Sequence, residues 1–370
     1  MSVKIARDPK KIALIGAPTS AGSHGPGAER APAALRAAGL VERLEAAGFQ
    51  VNDLGDGPLQ IHTADDEHPR ARNAAAVVEG MSALRQRVEQ AVKSGALSII
   101  LGGDCSITPG TIAGARRYYR EVGLLWLDRD ADLNTPASTP SGCLHGMTVA
   151  HITGRGAPEI VRFYTDAPLV RDPGVALYGL ERLDPPEEVL LRTTPIRSYL
   201  ASDILQRGVA ATSRAALDRI HAGTAPFVLH FDVDVTSSED FSACAFPGAG
   251  GLRLDDVRRA LELFLLEPHL LAIEIAEYLP ERDLNGAAAK LLVDLIVTAL
   301  SQRLAALTAP KAEAEPQEVA VAQSVPAPSS EPPESSEPAE SSEATGDNEP
   351  APDSDTADAT AGEPSSSSSS

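Results

Sequence analysis

Short, continuous apolar runs alternate along this chain with longer stretches whose apolar positions recur every three or four residues. The runs at 11–16 (KIALIG), 51–54, 96–101 (ALSIIL), 123–127, 175–178, 227–231 and 271–275 have the length and turn-residue boundaries of strands. The stretches 33–47, 74–94, 109–119, 254–264 and 286–307 carry an apolar face at helical spacing. Strands that are apolar on every residue, separated by helices, predict an α/β domain with a mostly parallel central sheet covered on both faces. Ligands of such sheets bind beyond the carboxyl ends of the strands.

The pattern stops near residue 308. From 309 to 370 Pro, Glu, Ser and Ala dominate and aromatics are absent. Burial there cannot offset the entropy of ordering the chain. The expected organisation is therefore one folded domain over 1–308 and a disordered acidic tail over 309–370. Charge follows the same division. Residues 311–370 hold fourteen acidic side chains and one lysine, so −13 of the net −20 belongs to the tail. No Lys/Arg cluster marks a nucleic-acid footprint. Three cysteines, Cys105, Cys143 and Cys244, are too few and odd in number for a disulfide framework. The first residues lack an apolar signal region, and no run is expected to reach the length of a membrane span. These features suggest a cytoplasmic protein without nucleic-acid or membrane partners.

Two strand ends carry the chemistry. Trp126 to Asp132 (WLDRDAD) and His230 to Val235 (HFDVDV) each leave an apolar run and enter carboxylates spaced two apart. With a period of two, Asp128, Asp130 and Asp132 can share one side, as can Asp232 and Asp234. Five converging carboxylates repel strongly unless cations neutralise them, which predicts a metal site. A third strand end carries Gly102-Gly103-Asp104-Cys105-Ser106. The series Asp128-x-Asp-x-Asp also opens like an EF-hand loop, but Leu133 stands where that loop needs Gly.

Taken in order, these motifs resemble the ureohydrolase superfamily of arginase, agmatinase and formiminoglutamase. The likeness covers about residues 11–307 and rests on Gly25-Pro26-Gly27, the Gly-Gly-Asp-Cys-Ser segment, Asp128 to Asp132, Asn134-Thr135-Pro136, Ser141 to Gly146, Asp232-Val233-Asp234 and Glu277. It implies a three-layer α/β/α sandwich holding two manganese ions. Their bridging hydroxide would attack a guanidinium or formimidoyl carbon of a small-molecule substrate. It further implies that Asp128 and Asp232 bridge the ions, Cys105 and Asp132 complete one, and Asp130 and Asp234 complete the other. Within the same resemblance His145 shuttles protons, Asp132 takes part in catalysis, and Glu277 pairs with the cationic head of the substrate. Asn134, Ser141, Cys143, Asp184 and Phe246 line the substrate side. Relatives often assemble as trimers or hexamers, so a homo-oligomer is expected.

The chain departs from the family at two metal-ligand histidines, which are Cys105 and Asp130 here. A thiolate favours zinc or iron, whereas extra carboxylate favours manganese. Cys143 replaces an Asn, and Phe246 replaces a small polar residue, which argues against free arginine as substrate. All three cysteines map onto this one region. His24, His62, His68, His151, His221, His230 and His269 belong to no motif. Two functions are consistent with this pattern: a metal-dependent hydrolase of a linear C–N bond, or a catalytically impaired relative serving as a binding or regulatory protein.

Overall fold

Ile12 and Leu14 pack into one apolar cluster, and Ala13 and Ile15 of the same strand into another. That alternation makes the sheet the middle of three layers. In the computed structural model, residues 5–223 and 226–309 are described. The strands are β1 Lys11–Gly16, β2 Gln50–Asp56, β3 Leu97–Leu101, β4 Gly123–Leu127, β5 Val175–Leu180, β6 Arg197–Leu200, β7 Phe227–Asp232 and β8 Leu270–Ala276. They form one sheet in the order β2-β1-β3-β8-β7-β4-β5-β6. Every pairing between them is parallel. The helices Ala31–Ala37, Leu40–Ala46, Val209–Gly223, Leu254–Leu266 and Ala287–Thr308 supply residues to the first cluster, and Ala74–Lys93, Thr108–Arg116 and Thr148–Ile152 to the second. The predicted α/β/α sandwich is thus present.

Three local expectations change. The single helix expected over 33–47 is two, because Gly39 takes a left-handed φ of 86° between them. Strand β6 was not anticipated; it is a short edge strand with a largely exposed pattern, so it lacks the continuous apolar signal of its neighbours. The helix Ala287–Thr308, 22 residues long with a mean hydropathy of 1.5, is long and apolar enough to cross a membrane by those two measures. This corrects the expectation that no run reaches that length. Its Leu292, Val293, Ile296 and Leu300 are core residues, and it packs on Leu254–Leu266, so its apolarity is used inside the domain. The acidic tail expected over 309–370 lies, beyond Ala309, outside the described residues.

Candidate active site

The neighbours β3, β8, β7 and β4 end side by side, and each delivers polar groups to the same edge. After β3, a Cβ on Gly103 would stand 1.8 Å from the Thr19 carbonyl oxygen, so the turn there requires glycine. Asp104 then caps the turn Cys105–Ile107. One of its oxygens accepts the Ser106 N–H at 2.9 Å and the other the Gly22 N–H at 2.9 Å. Asp104 is thereby tied to the backbone, and Cys105 is the member of the motif that faces the carboxylates. Asp128, Asp130 and Asp132 follow β4; Asp232 ends β7 and Asp234 follows it; Glu277 follows β8. Asp132 (φ 49°) and Glu277 (φ 62°) are two of three non-glycine residues with positive φ among the described residues. Such sparsely populated backbone conformations tend to concentrate at functional sites.

The carboxylates fall into two groups. Asp128, Asp132 and Asp232 are buried, and Asp128 Oδ2 and Asp132 Oδ2 have no hydrogen-bond partner. Burial first, and repulsion from neighbouring carboxylates second, hold all three well above the usual carboxyl range. Cys105 Sγ lies 3.2 Å from Asp232 Oδ2. Its thiol is likewise pushed up by burial and then by Asp232 and Glu277. Ligand atoms of Cys105, Asp128, Asp232 and His230 lie within 4.8 Å of one another. His230 belonged to no motif. The missed signal is its spacing: two residues before Asp232, it shares that residue's face of β7.

Asp130 and Asp234 are occupied differently. Arg182, two residues beyond β5, donates through Nε to Asp130 Oδ1 at 2.9 Å, through Nη2 to Asp130 Oδ2, and through the same Nη2 to Asp234 Oδ2 at 2.8 Å. Asp234 is still pushed up to about 7 by burial and by Asp130, with Arg182 opposing. Arg129, inside the Asp128–Asp132 motif, is buried and pairs with Glu181 at 2.8 Å and with the Gly250 carbonyl at 2.8 Å. Ligand atoms of Asp128, Asp130 and Asp234 lie within 4.8 Å of one another as a second candidate group, to which the chain also brings a guanidinium of its own.

Asp130, Asp132, Asn134, Ser141, His145, Asp184 and Phe246 line one cleft of about 680 Å³, together with Arg182 and Glu187. His145 Nδ1 lies 3.3 Å from Glu277 Oε1, which also accepts the Cys105 N–H at 3.2 Å, while Glu277 Oε2 is buried without a partner. Burial disfavours protonated His145, but the Glu277 contact and nearby carboxylates outweigh it and raise its pKa. The Phe246 ring stacks on His145 at 5.5 Å and meets His24 edge-on at 5.1 Å. Asn134 Nδ2 donates to Asp184 Oδ2 at 2.8 Å. Asp184 and Glu187 form the capping box of the helix Pro185–Thr193, and Glu187 Oε1 accepts the Leu133 N–H at 2.8 Å. The cysteines do not act as a set. Cys143 is buried behind Ser141 and does not line the cleft, and Cys244 is buried in a bridge to Tyr278.

A parallel sheet between two helix layers, with acidic groups gathered at its central strand ends, is the architecture that the ureohydrolase resemblance implies. The arginase family model matches residues 10–301, and the chain belongs to the arginase family. It is 30% identical over 299 residues to the arginase of Bacillus caldovelox, covering 80% of this chain and 99% of that one. Among solved structures it is similar to arginase from Bacillus subtilis, with a TM-score of 0.72 at 30% identity, covering 79% of this chain and 98% of the other. Proclavaminate amidino hydrolase from Streptomyces clavuligerus shares the fold, with a TM-score of 0.62 at 20% identity over 82% of this chain and 96% of the other.

Proposed function

We propose that the protein is a metal-dependent hydrolase of a linear C–N bond in a small guanidino or amidine-type compound other than free arginine. The observation that carries this reading is the meeting of unpaired, buried oxygens of Asp128 and Asp132 with the His145–Glu277 pair beside one cleft. The donor set fits one divalent cation, because Asp128, Asp132, Asp232 and Cys105 are buried acids with no cation of their own. At the second ion position of the family Asp128, Asp130 and Asp234 still lie within 4.8 Å of one another, and Arg182 competes with an ion there. When bound, the ion supplies Lewis acidity and an activated water.

The remaining chemistry belongs to the chain. Glu277 Oε2 offers a free carboxylate oxygen to a guanidinium N–H. His145, oriented by Glu277, passes a proton to the departing nitrogen. Water oxygen joins the carbon, the C–N bond breaks, and the amine leaves with that proton, alongside urea or its equivalent. Phe246, stacked on His145, narrows the cleft and excludes water from that side. Asn134, Ser141 and Asp184 hold the distal end of the substrate. A catalytically impaired binding protein is the second reading, favoured by the guanidinium of Arg182 at the place of an ion.

The test is release of urea or amine from a panel of guanidino and amidine compounds. The full chain is supplied separately with manganese and zinc, and Asp232→Asn serves as the inactive control. Turnover of at least one compound, absent in the control, is expected. Protein that demonstrably holds metal and turns over none of the panel overturns the reading in favour of the second.

A further inference from the structure

His230 is fully buried on β7, one pleat beneath Asp232 on the same face. Register places it between Trp126 of β4 and Glu274 of β8. The indole stacks on the imidazole with centroids 3.7 Å apart and planes 7° from parallel. Glu274 Oε2 lies 2.9 Å from Nδ1 and also accepts the Thr108 hydroxyl at 2.7 Å. Nδ1 thus has two partners, Glu274 Oε2 and the Thr108 hydroxyl 3.0 Å away, and in the tautomer that donates from Nδ1 to the carboxylate Nε2 presents a lone pair. Nε2 is buried and has no hydrogen-bond partner. A buried polar atom left unpaired is unfavourable unless something uses it. A ring nitrogen of His230 lies within 4.8 Å of ligand atoms of Cys105, Asp128 and Asp232. A carboxylate hydrogen-bonded to an imidazole that lies beside acidic donors is the usual support of a metal-binding histidine.

We propose that Cys105, His230, Asp128 and Asp232 form a four-donor site for a single thiophilic divalent cation, zinc before manganese, with His230 supplying the imidazole that position 105 lacks. One sulfur, one nitrogen and two carboxylates suit the borderline-soft, tetrahedral preference of zinc, whereas manganese favours oxygen donors. The neighbouring pair Asp130 and Asp234 is held by Arg182, which supplies its counter-charge. Bound cation also resolves the state of Cys105, since a coordinating thiol gives up its proton. The inference rests on the metal reading of this site but not on turnover.

The experiment reads metal rather than activity. The full chain is stripped with chelator and reloaded with zinc, cobalt or manganese. It is studied in a His269→Gln background, because His221, Glu267 and His269 form a second group at the surface able to hold zinc. One zinc per chain is expected, with one sulfur and one imidazole in its X-ray absorption, and a thiolate charge-transfer band with cobalt. His230→Gln should lose the imidazole signal, keep the sulfur, and bind zinc at least about 100-fold more weakly. Glu274→Gln, which keeps the shape of the side chain, should weaken binding by about 10–100-fold and carries the test if His230→Gln fails to fold. Zinc bound without imidazole, undiminished affinity in both variants, or two manganese ions bound without sulfur would each overturn the proposal. Full Cys/His ligation without turnover of any guanidino compound leaves it standing and removes the hydrolase reading. Turnover with two manganese ions does the reverse.

Discussion

The two halves of the acidic cluster are built from the same side chain at neighbouring strand ends, yet they are stabilised in opposite ways. Asp130 and Asp234 meet the guanidinium of Arg182. Asp128 and Asp132 each keep a buried oxygen unpaired, and Asp232 faces the Cys105 thiol. The first half has a counter-charge within the protein, although Asp234 Oδ1 is buried without a partner. The second is costly until a cation or protons arrive, because buried like charges in a low-dielectric site cannot all ionise. Spacing alone treats the two halves alike; the difference comes from Arg182, two residues beyond a third strand.

The largest expected effect falls on the unpaired half. Asp232→Ala removes one of the four donors that Cys105, Asp128, His230 and Asp232 bring together, so metal content should fall below one ion per chain. Turnover should drop by about 10³-fold or more, as loss of several kcal/mol of Lewis-acid stabilisation requires. The same change relieves repulsion, so the metal-free variant should melt no lower than the metal-free parent. A metal-free melting temperature well below the parent's would show that Asp232 is stabilised by something other than a bound ion, and would erase the distinction between the halves.

The next effect is on the paired half. Breaking a buried ion pair typically costs about 3–5 kcal/mol. The Arg182 side chain is 41% exposed, so solvent screening reduces this, and Arg182→Gln should destabilise the metal-free chain by about 1–2 kcal/mol in urea titrations. It should also free Asp130 and Asp234, raising bound metal from one to two ions per chain. Unchanged stoichiometry would mean that the guanidinium does not stand in for an ion. In the metal-free protein Asp104 is pushed up to about 6 and Asp234 to about 7, each by burial first and a neighbouring carboxylate next. Raised carboxyl values mean that the folded state holds more protons than the unfolded one. Their contribution is full below pH 4 and is lost as pH rises through 6 and 7. Chelator-treated protein should therefore melt higher at pH 5.5 than at pH 8, and added metal should shrink that gap by displacing protons from Asp128 and Asp232, whose carboxyls burial also pushes up.

The same contrast explains what could be read from the chain. Strands such as β3 and β4 were legible because a parallel strand buried on both faces is apolar at every residue. The strand-end positions of Asp128, Asp232 and Cys105 were legible because Asp128 and Cys105 come after such strands and Asp232 ends one. β6 was not, since half of RSYL faces solvent, and the break at Gly39 was not, since apolar spacing continues across it. Arg182 and His230 escaped for a deeper reason. Their roles come from lateral register, β5 beside β4 and His230 between Trp126 and Glu274, and no local motif encodes which strands become neighbours.

The smallest expected effect lies at the rim, where the two halves share one cleft. Phe246 touches neither group of carboxylates directly; its ring covers His145, and its carbonyl accepts from Arg182 at 3.4 Å. Phe246→Ser keeps the backbone carbonyl and removes only the ring, so the Arg182 half should be unaffected, with metal stoichiometry unchanged. Stability should shift by about 1 kcal/mol or less, because the side chain is only half-buried. The ring fills space that a substrate could use, and pocket changes of this size are worth about 1–3 kcal/mol in discrimination. KM for compact guanidino compounds should therefore change by about tenfold while kcat moves less. A fall in kcat with KM constant would instead place Phe246 in the positioning of His145, and would tie the rim to the metal-binding half rather than to the choice of substrate.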